Sequence, residues 1–341
     1  MIYFAGDVNL TDWHFNVGFG IGTKVSKGLN PFKYINRVDD DIWVGNFEGV
    51  ASYISDNQGF YANSFRVEPK ALIHLHHMDY YGFANNHAME HGRDAYKETI
   101  KSLKSYGSVV FGSDDRRSCD FSYKNRIISL TGVCLRIEES SFKPLYWHNP
   151  EYIEIEKELS ALPSEAFKVL FVHWGNEYIN RPSAAQKKFA HWLIDAGFDL
   201  IIGMHPHVLQ GYEDYKGKRI YYSLGNFVFD MPSEQCKIGA IVSLDFFEGR
   251  AQYNNQYVKI DNNCCPHVVD ESEISSVWHF SYLNECLKKD DNSENYHNEI
   301  KKGYNLYRRA NHRQLLKTAL THPVSFMGIL RDFVRRKVIK K

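Results

Sequence analysis

Six apolar runs in this chain end in residues able to bind a metal ion or move a proton. Ile2–Ala5 leads into Asp7 and Asn9, and Ile42–Val44 into Glu48. Tyr80–Ala84 leads into Asn86 and His87, and Lys168–Val172 into His173. Leu200–Ile202 leads into His205 and His207, and Ile220–Leu224 into Asn226. One such cluster could be chance. Six supply carboxylates, carboxamides and four imidazoles, and a polar group buried without a partner costs about 1–3 kcal/mol. A shared cation would satisfy the groups together. The donors are nitrogen and oxygen with no thiolate, which suits Mn, Fe or Zn. A bridging carboxylate among several imidazoles suits two divalent ions roughly 3.5–4 Å apart, an arrangement that serves hydrolysis.

The elements that position these residues read as strands alternating with helices. Helices are expected over Pro31–Val38, Pro69–His77, Ala88–Tyr106, Ile153–Leu162 and Ala184–Ala196, and paired strands over Ile238–Phe247 and Ala251–Ile260. That alternation predicts an α/β fold, in which ligands bind beyond the carboxyl ends of the strands. Pro206 biases His205 toward extended backbone. Residues i and i+2 of an extended segment share a side, so His205 and His207 are expected to face one point.

Each candidate has a plainer reading. His87 could be a hydrogen-bonded histidine preceding a helix. Asn226 is read equally as a turn residue beneath the site. Glu177 and Tyr178 are expected to pack under His173 rather than line a cleft. His74, His76, His77 and His91 are read as surface or supporting residues, and Trp13 and His14 as candidates for substrate contact. Cys264 and Cys265 are read as small buried thiols.

The chain has 341 residues, of which 43% are hydrophobic and 24% charged, an ordinary soluble balance. Its formal charge of zero is unevenly spread. Residues 301–341 carry 12 Lys+Arg and one acid, Asp332, so residues 1–300 hold an excess of 11 acids. The expected units are 1–262, carrying the site, and 263–341, a helical basic extension. The extension suits a helix docked on an acidic body, or a peripheral contact with a membrane surface. Six cysteines without a CxxC pair point away from a thiolate zinc site and toward a reducing, cytoplasmic setting. No signal-peptide pattern or 18-residue apolar run is expected to cross a membrane.

The residues also carry a resemblance. The pieces are Gly6-Asp7, Asn46-Phe47-Glu48, Ala84-Asn85-Asn86-His87 with Gly92, and His173-Trp174-Gly175-Asn176-Glu177-Tyr178. Next come Ala190 to Gly203, His205-Pro206-His207-Val208-Leu209-Gln210, Tyr222-Ser223-Leu224-Gly225-Asn226-Phe227 and Asp230. In this order, over residues 1 to about 248, the chain resembles the CapA family of capsule and poly-γ-glutamate synthesis proteins, a branch of the calcineurin-like metallophosphoesterases. The resemblance implies a four-layer αββα sandwich with a two-metal site. Asp7 would hold the first ion, Glu48 would bridge, and Asn86 and His173 would hold the second. His205 and His207 would serve one ion each, with His87 above the site as general acid. Three departures stand out. Asn9 replaces the histidine of the superfamily's D-x-H motif, Glu48 replaces a bridging Asp, and Glu90-His91-Gly92 replaces a DxG. Asn9 and Asn226 are secondary ligand candidates.

The function implied is phosphoester-type hydrolysis in making or modifying a cell-surface polymer. Hydrolysis or transfer at a γ-glutamyl amide, and a non-catalytic role beside a polymer synthase, are the alternatives. The expected partner is that polymer or its precursor, not nucleic acid.

Overall fold

A computed structural model describes residues 1–136, 143–289 and 293–339. Two β-sheets lie face to face with helices outside them. The first sheet runs in the order Pro266–Val269, Arg250–Ile260, Ile238–Phe247, Ile2–Val8, Ile42–Phe47, Tyr80–Gly82, Val109–Phe111. Asn226–Val228 pairs beside the far end of Ile2–Val8. The second runs Tyr212–Tyr215, Lys218–Tyr221, Leu200–Met204, Phe167–His173, Arg126–Cys134, Ser118–Tyr123. The four strands at the middle of the second sheet are parallel, as are those from Ile2–Val8 to Val109–Phe111 in the first.

Alternation along each strand sorts the side chains into layers. Phe4, Val44, Val169, Phe171, Leu200 and Ile202 fill the space between the sheets. Their neighbours Leu170, Val172 and Ile201 face outward onto the helices Tyr152–Ala161 and Ala184–Ala196, which contribute Ile155, Leu159, Ala190, Leu193 and Ile194. The outer face of the first sheet is covered by Arg93–Ser105 through Tyr96 and Leu103. Burial on both faces is why these strands are continuous apolar runs. Each fully buried Phe, Leu or Ile stabilises the fold by about 1.5–3 kcal/mol relative to exposure. The result is the four-layer αββα sandwich.

Some local expectations change. Residues 31–38 form turns and coil rather than a helix, and Pro69–His77 is a 3-10 helix. The helix expected from Ala88 begins at Arg93, because residues 86–91 turn tightly to seat His87 and His91. His91 is fully buried, not a surface residue. Its Nδ1 lies 2.7 Å from Ser55 Oγ and its Nε2 2.7 Å from the Ser64 carbonyl. His77 stacks on Phe32, and the side chains of His74 and His76 lie outside those described. The six cysteines are buried.

The C-terminal region packs closely on the sandwich. Helix Ser293–Thr321 stacks Tyr307 on Tyr178 at 4.0 Å, and Gln314 Nε2 donates to Asn16 Oδ1 at 2.7 Å. Among the described residues, no helix is long and apolar enough to cross a membrane.

Candidate metal centre

The parallel registers bring the strand ends to one place. Asp7 lies beside Asn46 on one side and Asn226 on the other, and Met204 lies beside His173. Two glycines permit this closeness. A Cβ on Gly6 would overlap the Gly225 carbonyl, and one on Gly203 would overlap the Tyr222 carbonyl and the Trp174 indole.

His205 and His207 converge by a route other than the extended one expected. Their φ angles are 94° and 57°, in the left-handed region. Such backbone costs about 1–3 kcal/mol for residues other than glycine and persists where neighbours over-determine it. Here the neighbours are identifiable. The His205 N–H donates to Asp7 Oδ2 at 3.2 Å, and the Tyr178 N–H donates to the Pro206 carbonyl at 2.9 Å.

Asp7, Glu48, His173, His205 and His207 are all essentially inaccessible to water. Two groups of possible ligands form among them: Asp7, Glu48 and His173, and Glu48, His205 and His207. Within each group the ligand atoms lie within 4.8 Å of one another, and Glu48 belongs to both. His173 Nε2 is 2.8 Å from Asn86 Oδ1, 3.0 Å from His205 Nδ1 and 3.9 Å from Glu48 Oε1. His207 Nε2 is 3.6 Å from Glu48 Oε1. Metal–ligand bonds of about 2.1 Å set adjacent ligand atoms roughly 3–3.5 Å apart, so the spacing fits a divalent ion. Both Glu48 oxygens, His205 Nε2 and His207 Nε2 are buried without a hydrogen-bond partner. Orphaned atoms of this kind, all able to bind a cation, are the strongest sign that the residues fit a metal.

The electrostatics agree. Burial, then the neighbouring Asp7 charge, pushes the Glu48 carboxyl well above the usual range. Asp7 is also pushed up, by burial, against the opposing pull of His207 and the Asn46 hydrogen bond. Burial holds His173 and His205 well below the usual imidazole range, which favours the neutral ring that binds metals. Two buried carboxylates among neutral imidazoles need a positive charge to ionise together.

Surrounding residues orient the ligands. Asn46 Nδ2 donates to Asp7 Oδ1 at 2.8 Å, leaving Oδ2 toward His207 Nδ1 at 3.6 Å. Asn226 Nδ2 donates to the Cys236 carbonyl at 2.9 Å, which points Oδ1 at His207 Nδ1, 3.0 Å away. Asn226 thus fixes the His207 ring. Asn9 turns its oxygen to the Thr11 N–H and hydroxyl, at 2.7 and 2.6 Å, so only its NH2 remains unpartnered. An NH2 group cannot ligate a cation, and the candidate ligand role of Asn9 is not supported by this orientation.

His87 sits at the rim, 3.8 Å from Glu48 Oε1 through Nε2, with Phe65 stacked on its ring at 3.8 Å. Its Nδ1 is 2.6 Å from Glu90 Oε2. Burial alone would raise the Glu90 carboxyl, but the His87 hydrogen bond and the nearby His14 and His91 bring it below its ordinary range. Asn85 Nδ2 donates to the Phe47 carbonyl at 2.8 Å and its Oδ1 accepts the His87 N–H at 3.2 Å, tying the His87 turn to the Glu48 strand. Trp13, Phe229, Tyr178 and Tyr307 continue an aromatic wall beside His87 and His207. Trp13 is buried within that wall, and Tyr178 is buried with its ring stacked on Tyr307 and beside His207.

A family profile described as bacterial capsule synthesis protein PGA_cap matches residues 1–231. The chain belongs to that family. It is 30% identical over 227 residues to the PGA biosynthesis protein CapA of Bacillus subtilis, covering 62% of this chain and 60% of that one. It is 35% identical over 175 residues to the capsule biosynthesis protein CapA of Bacillus anthracis, covering 47% and 42%. The chain therefore spans about two fifths to three fifths of the length of these relatives. Among solved structures it is similar to a phosphatase from Mycoplasma pneumoniae, with TM-score 0.42, 15% identity, and 78% and 89% of the two chains covered. It is also similar to a 5'-nucleotidase from Candida albicans, with TM-score 0.45, 12% identity, and 92% and 58% covered.

Proposed function

We propose that this PGA_cap-family chain is a metal-dependent hydrolase of phosphoester type, acting in the synthesis or modification of a capsule or related cell-surface polymer. The observation that carries the reading is the set of orphaned, buried atoms of Glu48, His205 and His207, grouped with Asp7 and His173. Asp7, Glu48, Asn86, His173, His205 and His207 would hold one or two divalent ions (Mn, Fe or Zn). Such ions lower the pKa of water and neutralise charge on a phosphoryl group.

The chain's own residues supply the rest. Glu90 accepts from His87 Nδ1, which leaves Nε2 to give a proton to the leaving oxygen. Phe65 holds the imidazole plane by stacking. The aromatic wall excludes water on the His207 side, where fixed dipoles act more strongly than in bulk solvent. Asn46 and Asn226 keep Asp7 and His207 in place.

A second reading is supported by how two relatives are named. Two mycobacterial relatives, each 29% identical over 168 residues, are probable polyglutamine synthesis accessory proteins. Amide hydrolysis or transfer at the same ions would use the same His87 proton, delivered to a leaving nitrogen. The test is a panel on purified full-length protein reloaded with Mn, Fe or Zn: a nitrophenyl phosphomonoester, a phosphodiester and a γ-glutamyl anilide. Turnover of a phosphoester that EDTA removes supports the first reading, and turnover of the anilide alone supports the second. Bound metal without turnover of any would replace both with a non-catalytic role.

A further inference from the structure

Helix Pro323–Ile339 meets the body along the side that carries Gly328, Ile329 and Asp332. Gly328 lies against the Phe60 ring, Ile329 is buried, and Asp332 accepts the backbone N–H groups of Phe60 and Tyr61 at 2.6 and 3.2 Å. Val324, Met327, Leu330 and Val334, at 86, 60, 43 and 52% exposure, form a stripe of helical spacing next to that side. Leu320, just before the helix, is 86% exposed. An apolar cleft lined by Val17, Phe60, Val324, Met327, Leu330 and Val334 runs alongside. Arg331 and Arg335 are exposed beside the stripe, and the single acid of residues 301–341, Asp332, is turned inward.

We propose that this face docks on an anionic lipid bilayer. An apolar stripe rimmed by arginines matches the interface between acyl chains and charged headgroups. Charge complementarity selects this occupant over a second copy of the chain. Pairing two copies face to face would bring two basic rims together, whereas anionic headgroups satisfy both rims and stripe. The excess of 11 acids on residues 1–300 is repelled by the same surface, which favours the orientation with the helix down. The inference is independent of the reaction at the metal centre.

The test uses the full chain with phosphatidylcholine vesicles, with and without phosphatidylglycerol, in a sedimentation assay. The expected result is binding that requires phosphatidylglycerol and weakens with salt. A V324S/M327S/L330S variant changes only exposed residues on the rim of the apolar cleft, so circular dichroism and melting should change little while binding is lost. R331Q/R335Q should weaken binding by about tenfold or more. Vesicle binding that ignores phosphatidylglycerol, absence of binding, or unchanged binding by the apolar variant overturns the proposal. So does a concentration-dependent dimer that the apolar variant abolishes, which would assign the face to a second copy.

Discussion

His87 and Glu90 form a dyad at the rim of the metal centre, Nδ1 to Oε2 at 2.6 Å, with the far ring nitrogen 3.8 Å from Glu48. On the proposed reading this dyad delivers the proton while other residues hold the metal, and the two roles can be measured apart. His87→Ala should lower turnover by about 10²–10⁴-fold while metal content by elemental analysis stays at the wild-type level. Glu90→Gln should lower it by a smaller factor, about tenfold, and change the pH profile of kcat. Loss of metal in either variant would place His87 among the ligands instead.

Glu48 is common to both ligand groups, so Glu48→Gln should remove more metal than Asn86→Ala does. Metal loading should also release protons, because burial raises the Glu48 carboxyl pKa and a bound cation would lower it. Calorimetry in buffers of different ionisation enthalpy reads the release. Glu48→Gln should abolish most of it, and binding that takes up protons would contradict the assignment.

Asp230 tests the loop beneath the aromatic wall. It accepts the Trp13 and Ile21 N–H groups, and burial with the nearby Asp12 raises its pKa from 3.8 to about 7. A raised carboxylate pKa means that the folded state holds the proton more tightly. Its stabilising effect is complete below about pH 4 and is lost as pH rises through about 7. The loss amounts to at most about 4 kcal/mol at 1.36 kcal/mol per unit. Asp230→Asn should remove this component, so that its melting temperature falls less than wild type between pH 5 and 8. A parallel fall in both proteins would rule it out.

Gly203→Ala should disturb the centre without touching a ligand. The added methyl meets the Tyr222 carbonyl and the Trp174 indole, so the strand carrying His205 and His207 must shift. The expected outcome is a stability loss of about 1–3 kcal/mol together with reduced metal affinity. Normal affinity in a destabilised protein would show that the strand end adjusts independently.

The strand ends are legible in the sequence because both sheets are covered on both faces, so apolar runs such as Leu200–Ile202 stop abruptly where polar chemistry begins. The left-handed backbone at His205 is not legible. Local sterics before Pro206 argue for extended geometry, and the contact that overrides them comes from Asp7, 198 residues away. The orienting role of Asn46 is hidden in the same way, because its partner Asp7 is 39 residues distant. Glu90 had a readable signal, an acid three residues after His87, which gains meaning only once residues 86–91 are seen to turn. Asn9 is only a secondary ligand candidate in the sequence, and the Thr11 contacts that turn its oxygen aside depend on local geometry that the sequence does not show. Tyr307 carries no motif, and its place beside Tyr178 follows from how the last helices fold back.

The backbone of His205 divides two kinds of selection. At φ 94° the position tolerates glycine best, with asparagine and aspartate next. A library at position 205 screened only for soluble, folded protein should therefore enrich Gly, Asn and Asp over His. The same library screened for metal retention should return His. The gap between the two enrichment profiles measures how much folding stability this lineage has given up, at one residue, to keep an imidazole where it is.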